Sequence, residues 1–167
     1  MEKIEMIQYF QIWTKGEIEQ GRWMVLMAIV LIPIIVLLFK SGGWSLGQGM
    51  VIPISFLLVV NLCYGTYLLS VRSNDVQELE IKIKERPMQV LKTEYKKVQK
   101  DNSTYKKLRL IWVALGAACA LLSLFFIKDY YKGISLGFAI LFIGLLTIDT
   151  FLHNRNIHLL NNLEHCL

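Results

Sequence analysis

The sequence predicts an all-α polytopic membrane protein, with four transmembrane helices arranged as two tandem helical hairpins and a cytoplasmic helical hairpin between them. The first observation is composition: 54% of the 167 residues are hydrophobic and 19% are charged. The mean hydropathy of +0.46 is higher than soluble domains usually show. The second observation is four apolar runs of 17 to 20 residues, each close to the roughly 20 residues that a helix needs to cross about 30 Å of hydrocarbon. This composition argues against a soluble enzyme.

The four runs divide the chain into membrane segments and water-facing segments. The runs are residues 23–39, 50–69, 110–127 and 134–152. The resulting segments are a cytoplasmic amphipathic helix (1–22), a first transmembrane hairpin (23–69), a cytoplasmic basic helical hairpin (70–109), a second transmembrane hairpin (110–152) and a cytoplasmic tail (153–167). Because 22 residues of mixed polarity precede the first run, we expect it to be a mature span and not a cleaved signal peptide.

Lysine and arginine predict the orientation of these spans. With four spans both chain ends lie on one side, and that side holds fifteen of the eighteen basic residues. The other side holds Lys40, Lys128 and Lys132. Because cytoplasmic loops are enriched in Lys and Arg, the sequence predicts a multi-pass protein of the cell (inner) membrane with its N- and C-termini in the cytoplasm.

The segment 70–109 is the long water-facing loop, and its pattern predicts two helices. Pro87 follows Arg86 in its middle, and proline both ends one helix and is well placed to begin the next. Apolar residues recur at helical spacing on both sides of this break. We expect the two stripes to contact each other across the turn, the first formed by Val76, Leu79 and Ile83 and the second by Leu91, Tyr95 and Val98.

The second arm of this hairpin, residues 88–109, is strongly basic. It carries seven basic and two acidic residues. Lys106, Lys107 and Arg109 lie next to the third span, where we expect them to contact anionic lipid headgroups. Nucleic-acid binding is not expected, since only two aromatic residues accompany these charges and no binding motif is present.

Polar side chains within or beside the spans are candidates for function, because exposing them to lipid is costly. The candidate pore-lining or intramembrane polar residues are Asn61, Thr66, Thr147, Asp149 and His153. Asp149 and His153 lie one helical turn apart and could form a proton- or cation-sensing pair, or a charged ring in an oligomer. The alternative is an acid at the membrane interface that is hydrated or paired locally with His153. We expect Asn61 and Asp149 to face protein or water.

Small residues in the spans mark positions where helices can approach each other closely. The candidates for helix packing are Gly65, Gly116, Ala120, Gly137 and Gly144. Such residues serve equally well inside one bundle and between subunits. The pattern therefore predicts close helix contacts without saying which helices form them.

The two halves of the chain also resemble each other. Lys40 and Lys128 end the first and third spans, and residues 45–47 (Ser-Leu-Gly) match residues 135–137. Residues 66–68 (Thr-Tyr-Leu) match residues 150–152 (Thr-Phe-Leu), and at that same separation of 84 residues, residues 79–80 match residues 163–164. In both halves the chain starts on the cytoplasmic side, crosses the membrane and returns to the cytoplasmic side. The sequence therefore predicts an internal parallel repeat whose pseudo-axis lies along the membrane normal.

No catalytic or cofactor-binding pattern accompanies these features. The sequence has no Gly-rich phosphate loop, no Cys-x-x-Cys pair, no His-Glu-x-x-His motif and no nucleophile elbow. The histidines and the cysteine of the tail, His153, His158, His165 and Cys166, have spacings that match no ordinary metal site. We therefore expect no enzymatic activity, no cofactor and no metal.

Two resemblances bear on function. The segment Trp13-Thr14-Lys15-Gly16-Glu17-Ile18, followed by Gly21, resembles the amino terminus of small uncharacterised bacterial four-span membrane proteins. The order of two spans, a helical insert and two further spans resembles the predicted pore-forming effectors of bacterial conflict systems. The second resemblance is one of architecture, and it implies a membrane-permeabilising activity.

Two functional hypotheses follow. In the first, several copies form a homo-oligomeric channel or membrane-permeabilising pore with a cytoplasmic helical collar. In the second, the protein is a membrane anchor or accessory subunit whose cytoplasmic hairpin docks a cytosolic partner. Both include contact with membrane lipids, and the first needs cyclic symmetry because four helices at about 10 Å spacing leave no central water path.

Overall fold

The chain forms four long helices in the computed structural model, which describes residues 3–40 and 45–164. The helices are α1 (Lys3–Lys40), α2 (Ser45–Glu85), α3 (Pro87–Phe125) and α4 (Asp129–Glu164). Each is long enough and apolar enough, by length and composition, to cross a membrane. The all-helical class and the four candidate membrane-spanning helices are therefore confirmed.

Local chemistry accounts for the positions where the helices end. A single residue, Arg86, separates α2 from α3, and Pro87 begins α3, where its missing N–H would have had no helical partner. At the other end of α3, Phe126 takes an extended conformation (φ −76°, ψ 126°). Asp129 then lies in the first turn of α4, where a negative charge interacts favourably with the helix dipole.

Each helix has an apolar half and a polar half. We call the four apolar runs together the apolar half of the bundle, and residues 3–22, 70–109 and 153–164 its polar half. In α1 the two halves form one uninterrupted helix, so the amphipathic segment and the first apolar run, which the sequence separates by polarity, belong to one element.

The helices pack in the order α1, α2, α4, α3. Extensive contacts join α1 to α2, α2 to α4 and α4 to α3, whereas α1 and α3 barely touch. Burial agrees with this order. In the most apolar 18-residue stretch of each helix, 11% of the residues are buried in α1 and in α3, compared with 33% in α2 and 22% in α4. The central pair is therefore α2 and α4, and the apolar surfaces of α1 and α3 face outward, as a membrane would permit.

Two glycines form the closest approach of the central pair. A Cβ atom built on Gly49 of α2 would collide with the carbonyl oxygen of Tyr130, and one built on Gly133 of α4 would collide with the carbonyl oxygen of Leu46. These contacts are reciprocal, since Leu46 and Tyr130, like Gly49 and Gly133, are 84 residues apart. A pseudo-two-fold axis therefore passes between α2 and α4, with the residue separation found in the sequence repeat.

The contacts between the outer and the central helices differ in chemistry between the two halves. In the first half Gly65 lies against the Cβ atom of Met24. In the second half Asp149, which lies 84 residues after Gly65, accepts a hydrogen bond of 2.6 Å at its Oδ2 atom from the indole Nε1 of Trp112 on α3. The second half therefore has a carboxylate at the position where the first half has a glycine.

The polar half has a hydrophobic core of its own. All four helices contribute to it, and its buried members are Met6, Phe10, Ile83, Leu91, Val98, Leu159 and Leu163. Partly buried side chains, including Leu79 and Tyr95, pack around them. Because this core lies outside the apolar runs, the polar half is a packed bundle that continues the apolar half.

Candidate functional site

A layer of buried polar side chains lies where the polar half meets the apolar half. On α1 it begins with Thr14, Glu17 and Gln20, which are spaced by three residues and therefore share one helix face. All three are buried. Arg72 of α2 and Arg155 and Asn156 of α4 complete this set, which we call the polar layer.

An ion pair joins α1 to α2 in the polar layer. Arg72 Nε lies 2.5 Å from Glu17 Oε2, and the Glu17 side chain is only 3% exposed. Arg72 also pairs with Asp75 at 3.2 Å, and its guanidinium lies 5.2 Å from the centre of the Trp13 ring. A charge this buried is costly unless it is paired, so this arrangement fixes how the two helices face each other.

The ionisation of this pair reflects both burial and charge. Burial raises the pKa of Glu17, while Arg72 and, less strongly, Arg155 act in the opposite direction. For Arg72, burial acts to lower the pKa, but Glu17 and other neighbours prevail and the pKa is raised. Arg72 is therefore a fixed cation, and Glu17 is the member of the pair that can change its protonation state.

Two hydrogen bonds and one close contact join α1 to α4. The Trp13 indole Nε1 donates to Asn156 Oδ1 at 3.2 Å, and Gln20 Nε2 donates to the carbonyl oxygen of Ile148 at 3.5 Å. The Arg155 side chain lies over Gly16, where a Cβ atom would come within 2.9 Å of its Nε atom. A glycine at this position thus allows the guanidinium to approach α1.

Several buried polar atoms of the described residues have no hydrogen-bond partner within this part of the chain. Besides the ion-paired Glu17 and Arg72, those of the polar layer are Thr14 Oγ1, Gln20 Oε1 and Arg155 Nη1; further ones are Asn102 Oδ1, Arg109 Nε and His153 Nδ1. Folded proteins leave few such atoms unpaired. Their concentration at one level of the bundle makes the polar layer the part of the molecule best suited to bind a polar group.

The intramembrane polar residues selected from the sequence do not meet in one path. Asn61 is buried and donates from Nδ2 to the carbonyl oxygen of Leu57 at 2.9 Å. Thr147 donates to the carbonyl oxygen of Ile143 at 2.8 Å, and Thr66 is exposed. Only Asn61 and Thr147 come together, on the wall of a groove between α1, α2 and α4.

Asp149 and His153 lie on α4 near the polar layer, without a hydrogen bond between them in the described structure. The partner of Asp149 is Trp112 of α3, whose ring stacks on Phe142 with centroids 5.8 Å apart. His153 is buried and its Nδ1 atom is unpartnered. The structure therefore gives Asp149 a partner on another helix, where the sequence suggested hydration or a local pair.

The small residues differ in how closely they approach a neighbouring helix. A Cβ atom on Gly65 would lie 3.0 Å from the carbonyl oxygen of Gly21, and one on Gly137 would lie 2.9 Å from Pro53. Gly144 likewise lies against Leu57. Gly116 has ordinary spacing, with its nearest neighbour at 3.5 Å. Ala120 is exposed among the described residues, so no close helix contact covers it there.

The hairpin residues lie in or around the core of the polar half, with one exception. Five of the six residues expected to contact each other across Pro87 belong to the core or pack against it: Leu79, Ile83, Leu91, Tyr95 and Val98. They share that core with side chains of α1 and α4, and α2 and α3 touch each other directly only to a small extent. Val76 instead lines clefts beside α1.

The three headgroup candidates lie at the start of the apolar run of α3. Lys106 and Lys107 are exposed, whereas Arg109 is partly buried. The Nε atom of Arg109 is among the unpartnered buried atoms described above. The two lysines therefore face outward, and Arg109 is turned partly into the bundle.

Sequence reasoning did not select the polar layer as a site. Trp13 and Glu17 were noted only as part of a resemblance, and Gln20 and Asn156 were not selected as candidate site residues. The available signal is on α1, where polar residues recur every three or four positions immediately before an apolar run. The partners on α2 and α4 carry no local signal, since Glu17 and Arg72 are 55 residues apart.

Comparison of the chain with models of protein families, with curated proteins and with solved structures finds no match. The fold and the site therefore define a class only: an all-helical protein with four candidate membrane-spanning helices. Its function has to be argued from its own surfaces.

Proposed function

We propose that this protein is a non-enzymatic membrane anchor whose polar half docks a cytosolic partner carrying an acidic surface. The proposal places both termini in the cytoplasm of a cell with the protein in its inner membrane, because most Lys and Arg residues lie on that side. The observation that carries it is a stripe of lysines on α3.

The lysine stripe consists of Lys92, Lys96, Lys100 and Lys107, all of them exposed. Their spacings of four, four and seven residues put them on one face of a helix. The opposite face carries Leu91 and Val98, which are buried in the core of the polar half. The stripe is therefore held outward by packing on the reverse side.

The two acidic residues of this arm do not neutralise the stripe. Glu94 lies 3.8 Å from Lys97, which is outside the stripe. Asp101 is exposed and lies on the flank of the helix, one residue after Lys100. No ion pair joins a lysine of the stripe to an acid among the described residues, so its charges are available to a partner.

Membrane lipids account for only one end of the stripe. Lys96 precedes the apolar run of α3 by 14 residues, or about 21 Å at 1.5 Å per residue. The Debye length at physiological salt is about 8 Å, so headgroup charge is largely screened at that distance. Lys106 and Lys107 lie within one turn of the run and fit anionic lipids, whereas Lys92, Lys96 and Lys100 fit an acidic protein surface.

A rigid platform favours such docking. The stripe lies on a helix that packs against a buried core, so little conformational freedom is lost when a partner binds. Exposed charges contribute mainly to the rate and selectivity of association. We therefore expect binding to be fast and strongly dependent on ionic strength.

Charge-matched variants test the proposal. The protein is placed in phosphatidylcholine nanodiscs and titrated with a fluorescent glutamate-rich peptide. One triple variant changes Lys92, Lys96 and Lys100 to Gln. The control triple variant changes the exposed residues Lys15, Arg22 and Lys97 to Gln and removes the same charge from other faces.

We expect the stripe variant to bind the peptide at least about tenfold more weakly and the control variant to bind it nearly as well as the unaltered protein. Equal losses in both variants would show that only net charge matters and would refute the proposal. Tighter binding of duplex DNA than of the peptide would also refute it, in favour of a nucleic-acid partner.

A homo-oligomeric channel is the second candidate function, favoured by the exposed Thr66 and Thr147 on the surface of the apolar half. The central helices α2 and α4 touch through glycines, so a conducting path would have to run between subunits. In liposome flux assays, Thr66→Leu and Thr147→Leu should then reduce conductance. A monomeric mass in nanodiscs together with no flux would eliminate this candidate.

A further inference from the structure

A cleft of about 380 Å³ lies in the polar half between α1 and α4. The residues of α1 that line it share one helix face: Tyr9, Ile12, Trp13 and Gly16. The residues of α4 that line it repeat the same spacing: Arg155, His158, Leu159 and Asn162. Known small-molecule sites occupy roughly 300–1,000 Å³, so the cleft is large enough for a compact ligand.

The cleft is short and has a closed floor. It extends along α1 from Tyr9 to Gly16, a separation of seven residues or about 10 Å. Leu159 is only 2% exposed and lies at the floor, whereas Ile12 is 70% exposed and lies at the rim. A short cleft of this volume suits a ring system better than an extended hydrocarbon chain.

Aromatic rings line the cleft on both sides. Tyr9 and Trp13 belong to α1, and His158 belongs to α4. The Trp13 ring is held in place, since its Nε1 atom donates to Asn156 at 3.2 Å and the Arg72 guanidinium lies 5.2 Å from the ring centre. A fixed ring loses little freedom when a ligand binds, and pairs of aromatic rings gain energy beyond the area that they bury.

The cleft has one permanent charge, that of Arg155, and none of the described residues lining it is acidic. The guanidinium lies at the Gly16 end, because a Cβ atom on Gly16 would come within 2.9 Å of its Nε atom and 3.3 Å of its Cζ atom. Arg155 forms no ion pair with another described residue, and the favourable interactions with Glu17 and Glu19 do not prevent burial from lowering its pKa. An anionic ligand would therefore stabilise this partly buried charge.

We propose that this cleft binds a small planar aromatic carboxylate, with its ring between Trp13 and His158 and its carboxylate on Arg155. The Nη1 atom of Arg155 is buried, so the contact is made by the edge formed by Nε and Nη2. Such an edge offers two parallel N–H donors, which match the two oxygens of a carboxylate. This proposal does not depend on the docking function.

Isothermal titration calorimetry in phosphatidylcholine nanodiscs tests the site with naphthoate as the probe, after subtraction of the heat given by protein-free nanodiscs. Naphthamide keeps the rings and removes the charge, whereas decalin carboxylate keeps the charge and removes the aromaticity. We expect one naphthoate to bind per chain. Naphthamide should bind at least about tenfold more weakly, and decalin carboxylate at least about threefold more weakly.

Variants test the position of the carboxylate. Arg155→Gln should weaken naphthoate binding about tenfold or more. The matched control is Arg22→Gln, which removes an exposed charge of α1 that lines a different cleft and should leave naphthoate binding unchanged.

A second pair of variants adds a negative charge instead of removing a positive one. Ile12→Glu puts a carboxylate at the rim and should weaken naphthoate binding at least about threefold by like-charge repulsion. Its control, Ile4→Glu, adds the same charge to α1 outside the cleft, and both isoleucines are exposed, so neither change should affect folding. Far-ultraviolet circular dichroism should show the same helicity in every variant that is compared.

Four results would overturn the proposal. Absence of saturable naphthoate binding would remove the site. Equal losses in Arg155→Gln and Arg22→Gln, or in Ile12→Glu and Ile4→Glu, would indicate general charge attraction. Equal binding of naphthamide would remove the role of Arg155, and equal binding of decalin carboxylate would remove the role of the aromatic walls.

Discussion

Substituting alanine for Gly133 should destabilise the bundle by separating α2 from α4. The added Cβ atom would collide with the backbone carbonyl oxygen of Leu46. Because a backbone atom cannot rotate away as a side chain can, the helices themselves have to move. Overpacking of this kind costs about 1–3 kcal/mol or more, and the better helix propensity of alanine offsets up to about 1 kcal/mol.

Gly116→Ala is the matched control for this substitution. Gly116 is also buried in a helix of the apolar half, but its Cβ atom would meet its nearest neighbour at 3.5 Å, an ordinary contact. Only the propensity gain of about 0.5–1 kcal/mol remains there. The two Gly→Ala changes are therefore expected to shift stability in opposite directions.

Thermal unfolding in one mild detergent, followed by circular dichroism, measures both effects. Gly133→Ala should lower the Tm and Gly116→Ala should leave it unchanged or raise it. Gly49→Ala should cost about as much as Gly133→Ala, because the two glycines occupy equivalent positions about the pseudo-two-fold axis. Equal shifts for Gly133→Ala and Gly116→Ala would refute the reasoning.

Three further changes test other parts of the structure. Phe10→Ala should cost about 3–5 kcal/mol of unfolding free energy, because Phe10 is 2% exposed, whereas the control Ile12→Ala, at a residue 70% exposed, should cost little. Burial raises the pKa of Glu17, so the folded state binds a proton at this carboxylate more readily than the unfolded chain does. The Tm of the unaltered protein, compared with that of Glu17→Gln, should therefore rise as the pH falls from 7.5 to 5. Trp112→Phe leaves Asp149 without its hydrogen-bond donor and should cost about 1–3 kcal/mol of unfolding free energy. Asp149→Asn keeps an acceptor for Trp112 and should change the unfolding free energy very little. Denaturant titrations in which Asp149→Asn is the more destabilising change would contradict this.

The sequence was sufficient to predict the helices, because their signals are local. The apolar runs have the length of a bilayer crossing, and a proline at position 87 ends one helix and begins the next. These features depend on residues close together in the chain. The helices can therefore be predicted without knowing which of them are neighbours.

The contacts between helices were harder to predict, because their signals are distant in sequence. Gly49 and Gly133 belong to one crossing, yet neither residue indicates its partner. Ala120 satisfies the same small-residue rule as Gly137 but is exposed, since the rule does not say which face of a helix is covered. In the sequence Glu17 and Arg72 each look like ordinary surface charges, because nothing near either residue indicates that α1 packs against α2.

The pseudo-two-fold axis between α2 and α4 has a consequence for stoichiometry. In a dimer of identical hairpins every position would occur twice, with the same side chain in each copy. Here, at the separation of 84 residues, the position equivalent to Gly65 is Asp149 and the position equivalent to Arg155 is Val71, so the two halves carry different polar groups. Joining two hairpins in one chain has therefore allowed each half to carry polar side chains that the other lacks, so a contact made by Asp149 or Arg155 occurs once per chain and not twice.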